Sequence, residues 1–303
     1  MFDKSGRLFL PAVLILLFTV HAADAQELGE ISEDHEPEVP DTLQGWDMSW
    51  VAELNVAQAA YSNWSKGGVN SYHLNSLSRI QLMYKMNRFS YDFEIRTQYG
   101  QARIQREGMR KTDDRLRLRN RFLYDVSKDD DTFKLFGNVN FETQFGEGFD
   151  YDAGPEGEDV LISDFFAPAY FNQNAGLAYF PDASFSVEAG LGLKQTVIQD
   201  TTLSTRYGLQ EGQTFRVESG IALGVNYEKE IMENVIYEGY VETFTNIQQS
   251  IRRTNIFFNS QFTGEVNSYI NVIFQLELIY NPDFSNRMQV AQSFSAGISL
   301  NLY

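Results

Sequence analysis

Cysteine is absent from all 303 residues of this chain. That rules out disulfides and leaves no thiol to carry a lipid anchor, so stability must come from packing and backbone pairing. Long apolar runs are nearly absent too. The one candidate, "LFLPAVLILLFTV" (8–20), has 13 residues, short of the roughly 20 that a helical membrane span needs. Histidine is scarce, with three in total, and beyond residue 25 only His35 and His73 occur. Phosphate-cradling glycine loops and dinucleotide fingerprints are missing. Positive charge is in deficit: 24 Lys and Arg stand against 41 Asp and Glu, a formal net charge of -17. Nucleic acid is therefore not an expected partner.

The short apolar run has another use. Lys4 and Arg7 precede it and "ADA" (23–25) follows it, the layout of an export signal cleaved before Gln26. Residues 26–44 come next. Their stretch "ELGEISEDHEPEVPD" (27–41) carries seven acids and no Lys or Arg. Such a segment buries too little apolar surface to offset the entropy of ordering, so a disordered periplasmic tether is expected, with a partner-binding acidic tail as the sharper alternative.

From Trp46 onward the pattern is alternation. In "FSYDFEIRTQY" (89–99), Phe89, Tyr91, Phe93, Ile95 and Tyr99 alternate with Ser90, Asp92, Glu94, Arg96 and Gln98. Soluble strands typically run about five or six residues, and this one runs longer. "YINVIFQLELIY" (269–280) and "SFSAGISLNLY" (293–303) repeat the pattern. Twelve such runs are predicted, near 48–61, 71–85, 89–102, 114–126, 132–145, 166–180, 184–200, 212–228, 234–245, 254–265, 268–280 and 288–303. Short connections (85–88, 127–132, 181–184, 229–234, 265–268) alternate with mostly longer ones (105–113, 146–165, 200–212, 246–253). Long strands, even in number, with short turns at one end and long loops at the other, predict an all-β fold: a transmembrane antiparallel up-and-down barrel of about 12 strands over residues 45–303. Closure would also remove the exposed edges of such strands. Trp46, Trp50, Tyr61, Trp64, Tyr84, Phe89, Phe133, Phe180, Phe185 and Tyr227 sit near strand ends, where aromatic girdles are expected.

Within that frame "RLRLRNR" (115–121) acquires a direction. Leu116, Leu118, Phe122 and Tyr124 share one face and Arg115, Arg117, Arg119 and Arg121 the other. An arginine facing lipid near the midplane costs ~2–4 kcal/mol, so the four must line the lumen. Asp92, Glu94 and Arg96 on one neighbouring strand and Lys134 and Glu142 on the other are expected beside them, with His73 inward near the outer end of its strand. Two readings stay open: a lumen packed by salt bridges, and a pore wall that attracts anions. The facing wall would be small, with Asn172, Asn174, Gly176, Ala178, Gly190, Gly192, Gly220, Ala222 and Gly224 pointing inward. That leaves room for water or for long arginines reaching across. Strand spacing and tilt give a twelve-strand barrel a backbone radius of roughly 12 Å, about half of which inward arginines would take from one side.

No catalytic residue, metal site or cofactor is expected. No nucleophile pairs with His73, and Asp92 with Glu94 forms one wall of a charge ladder rather than an acid/base pair. "DYDAG" (150–154), in a loop with seven acids over 147–164, lacks the later Gly and Glu of a calcium loop. A solvated loop is expected there, with weak cation bridging to lipopolysaccharide as the alternative.

The stretch "AYSNWSKGGVNSYHLN" (60–75) resembles the amino-terminal signature of an uncharacterised outer-membrane barrel family of Bacteroidota, a domain of unknown function. The resemblance rests on an aromatic-x-Asn-Trp-x-x-Gly-Gly motif, here Tyr61, Asn63, Trp64, Gly67 and Gly68. It implies an outer-membrane barrel over about residues 45–303 and brings no substrate or catalytic residue. The expected function is a narrow passive channel or small-solute transporter in a Gram-negative outer membrane. A closed structural or interaction barrel is the alternative, and an outer-membrane enzyme the third. Expected partners are membrane lipid, lipopolysaccharide and, through the C-terminal strand, the barrel-assembly machinery. Tyr303 is out of phase with Leu300 and Leu302 as such an assembly signal.

Overall fold

A computed structural model describes residues 39–40, 42–59, 71–104, 108–249, 251–267, 270–282 and 287–301. The expected export signal, most of the acidic tether, the Tyr61–Gly68 motif and Tyr303 lie outside the described residues. At the tether's end Val39 is buried and the Leu43 N–H donates to Pro40 O at 3.0 Å.

Twelve strands form the barrel: β1 (Gly45–Ala59), β2 (Ser71–Met86), β3 (Phe89–Ile104), β4 (Gly108–Asp125), β5 (Phe133–Thr143), β8 (Ala169–Asp182), β9 (Phe185–Val197), β10 (Phe215–Met232), β11 (Val235–Asn246), β12 (Asn255–Glu265), β13 (Ile270–Tyr280) and β14 (Gln289–Asn301). Each pairs antiparallel with its chain neighbours, and β14 closes the ring on β1. The hairpin β6 (Gly148–Asp150) and β7 (Val160–Ser163) stands in the loop between β5 and β8. The architecture is the up-and-down barrel that the alternation implied.

Two local differences have clear causes. The nine-residue loop expected at 105–113 is mostly strand, because β3 runs to Ile104 and β4 starts at Gly108. The polar run "RKTDD" (110–114) concealed the pairing: Gln101↔Lys111 and Ala102↔Arg110 continue the ladder past a register shift at Gly100. Phe180, expected in a girdle, packs inward against Leu123, Phe136 and Ala178, because it shares the even, lumen-facing phase of β8 with Asn172, Asn174, Gly176 and Ala178. The tight turns after β2 and β10 place Asn87 at φ 56° and Asn234 at φ 61°, the left-handed region that asparagine tolerates.

The outer face is apolar. Leu54, Val56, Leu177, Leu191, Leu193, Ile221 and Leu223 are exposed on it. Aromatic side chains pack near the short turns: Trp46 on Tyr84 with centroids 4.6 Å apart, Phe133 on Tyr179 at 5.0 Å, and Tyr237 on Phe262 at 4.8 Å. The buried residues are largely polar and face the lumen, the inverse of a soluble sandwich.

Candidate functional site: the lumen

The arginine ladder faces inward, and most of it is matched by acids. Arg119 and Asp92 form a 2.5 Å ion pair with both side chains almost fully buried. The other Asp92 oxygen accepts from Gln81 Nε2 at 2.8 Å. Arg117 Nε donates to Glu142 Oε2 at 2.9 Å, while Arg115 reaches the second Glu142 oxygen at 3.6 Å. Arg121 spans two strands to pair with Glu188 on β9. Glu94 stands opposite Arg119 in the β3–β4 register. Lys134 lies 3.3 Å from Asp125 and 5.3 Å from the Phe180 ring centroid, so both an anion and a π face stabilise it. A buried cation needs such partners, because removing either one strands a charge out of water.

The small-residue wall is as expected in its residues and different in what fills it. Aromatic rings stand against part of it. A Cβ on Gly220 would sit 2.6 Å from both Phe244 Cζ and Thr245 O, and one on Gly192 would sit 3.2 Å from Phe244 Cε2. One on Gly190 would sit 3.0 Å from Phe136 Cζ. Glycine is thus required where β9 and β10 receive these rings. Further charges complete this half: Lys194 lies over Tyr170 at 5.9 Å, and Arg216 pairs with Glu218 at 3.1 Å. Tyr240 OH donates to Glu242 at 2.5 Å.

The loops beside this filled half are folded. Ala167, Ile198, Leu203, Tyr207 and Leu209 form a small apolar core between the 144–168 and 198–214 loops. Tyr207 OH donates to Ile162 O at 2.8 Å. The acidic loop is tied down: Asp152 pairs with Arg110 at 2.7 Å, and Asp114 accepts the N–H groups of Phe145 and Gly146 at 2.8 and 3.1 Å. Among the described residues no three His, Asp or Glu side chains gather as a metal site.

The other half of the lumen is open. A cavity of about 600 Å³ is lined from β1 to β4 and from β11 to β14. Arg79, Arg96 and Arg115, together with Asp113, come from β2 to β4, Glu53 comes from the adjacent β1, and Glu238, Glu277, Gln261 and Gln275 come from β11 to β13. Of the predicted lumen residues, Arg96 and Arg115 border this space. Asp92, Glu94, Glu142, Lys134, Arg117, Arg119 and Arg121 belong to the filled half. His73 is exposed on the inward phase of β2, outside both groups.

Sequence reasoning missed Arg79, Asp125, Glu188, Lys194, Glu238 and Glu277. Each sits on the inward phase of a predicted strand, so alternation alone marks them as lumenal. Their partners were hidden, because Arg121 and Glu188 meet across two intervening strands.

The fold and site define a closed transmembrane-type barrel with a charged, half-filled lumen. A family model described as "Protein of unknown function (DUF3078)" matches residues 56–149, which include the Tyr61–Gly68 motif and the arginine ladder. Among solved structures, the COG4313 outer membrane channel from Pseudomonas putida F1 is similar at 11% identity and a TM-score of 0.43, covering 88% of this chain and 98% of that one. The translocator domain of autotransporter NalP from Neisseria meningitidis is similar at 12% and 0.42, covering 86% and 90%. The NanC porin is similar at 9% and 0.39, covering 84% and 100%. At these identities and scores the likeness extends no further than the barrel. No curated protein matches the chain.

Proposed function

We propose that this chain is an integral outer-membrane protein whose barrel acts as a narrow, passive channel for small polar solutes. One observation carries the reading: the polar cavity of about 600 Å³ beside the filled half of the lumen. A barrel serving only as a structural or docking element gains nothing from that space, and side chains packed as in the β4–β10 half would close it. The apolar outer face supports lipid as the surrounding solvent. Residues 1–25 act as the export signal, and the C-terminal strand serves the assembly machinery. Chemistry on a substrate is not part of this reading, since His73 is exposed and apart from the buried charges.

Single-channel recording on the full chain refolded into planar bilayers tests the proposal. Small, resolved conductance steps are expected. A properly folded barrel that shows none is a closed interaction barrel, and the channel reading fails.

A further inference from the structure

Asn and Gln are the commonest side chains bordering the open cavity. They come from both sides of β14, the strand that closes the ring. Asn55 stands directly opposite Asn75 in the β1–β2 register, and Gln261 opposite Gln275 in the β12–β13 register. Gln98 on β3 extends the first pair along the lining. Asparagine is depleted in strands generally, so strand pairing does not account for two of them facing each other.

The charges on the same lining are of both signs and are intermixed. Arg79 and Arg96 share their strands with Asn75 and Gln98, Asp113 is on the next strand, and Glu53 is on β1. These charges are also engaged within the wall. Asp113 accepts from Asn75 Nδ2 at 3.2 Å and from Gln98 Nε2. Glu238 accepts from Gln261 at 2.5 Å and Glu277 from Gln275 at 3.0 Å. Arg115 lies 3.6 Å from Glu142. An ion of either sign therefore meets repulsive neighbours beside attractive ones and gains little from the wall as a whole. A neutral solute meets amides. Each amide has two N–H donors and a carbonyl with two lone pairs, so one bond to a carboxylate leaves capacity of both kinds. A sugar hydroxyl is likewise both donor and acceptor. Neutral hydrogen bonds are individually weak, which lets a solute leave as well as enter.

We propose that the cavity selects small neutral sugars, whose hydroxyls exchange water for the Asn55–Asn75 and Gln261–Gln275 amides as they pass. This deepens the channel reading and rests on it.

The test is osmotic swelling of proteoliposomes that contain the full chain, comparing the neutral sugar arabinose with the zwitterion methionine of similar mass. Arabinose is expected to enter about threefold to tenfold faster, the effect of one or two net hydrogen bonds. Q261M/Q275M, and separately N55L/N75L, nearly keep side-chain size while removing the amides. In each the ratio of the two rates should fall to near one. Using two variant pairs keeps the test alive if one fails to fold. Equal rates in the native chain, a faster methionine, or a ratio unchanged in both variants overturns the sugar proposal and leaves the channel standing. Swelling with neither solute overturns the sugar proposal too, and together with no conductance it overturns both.

Discussion

The two halves of the lumen use the same residue types to opposite ends. Around β4 to β10, charges meet at bonding distance, aromatic rings seat on glycines, and two long loops fold beside them. Around β11 to β3, arginines and glutamates border a common space, with amides between them. Composition does not separate the halves, since both are rich in Arg, Glu and Asn. Reach does. In the filled half a cation and its acid meet from adjacent or near-adjacent strands, whereas β3 and β11, both lining the open space, stand six strands apart in the ring.

The largest expected contrast is between Arg119 and Arg79. Arg119→Ala leaves Asp92 buried without its cation and should cost ~3–5 kcal/mol, measured by urea unfolding in lipid vesicles. Arg79→Ala, beside open solvent, should cost under ~1 kcal/mol. Equal losses would erase the distinction between the halves.

Packing supplies the next contrast. Gly220→Val forces a side chain against the Phe244 ring and the Thr245 carbonyl and should cost ~1–3 kcal/mol. Gly224→Ala meets nothing closer than 3.8 Å and should shift stability by no more than ~0.5 kcal/mol. The same unfolding titration reads both.

A smaller effect sharpens the assignment of the conducting side. Gln275→Ala, in the open half, should raise single-channel conductance with a stability change within ~0.5 kcal/mol. Asn140→Ala, on the filled side, should leave conductance unchanged. If the two respond alike, the cavity is not the path.

The smallest effect lies in the 198–214 loop. Asp200 accepts from the Thr202 hydroxyl at 2.7 Å and its backbone N–H at 2.9 Å. These bonds, the hydroxyl first, hold its carboxyl below the ordinary carboxylate range. A lowered folded value means that the bond's contribution is present above the ordinary value of about 3.9. It is lost as pH falls through the lower folded value. Hydrogen exchange at the Thr202 amide should therefore quicken in strong acid, and in Asp200→Ala at every pH.

Alternation along the chain was enough to place the strands and to turn Arg115, Arg117, Arg119 and Arg121 inward. The physical reason is that a period of two assigns every residue to one of two faces, and lipid rejects guanidinium. It failed where the pattern broke locally. The polar "RKTDD" (110–114) hid the top of β4, whereas nearness to a turn puts Phe180 in the girdle although alternation gives it the same inward phase as Ala178.

Contacts across the lumen were beyond that reasoning, because a face assignment says where a side chain starts and not what it meets. That Arg121 pairs with Glu188, that Phe244 rather than water covers Gly192 and Gly220, and that the space left over gathers on one side all depend on the curvature of the closed ring. By itself, then, the sequence determined a barrel and the inward face of each strand. Tertiary structure alone decided which half of the lumen is full, because closure sets the distance between strands that are remote in the chain.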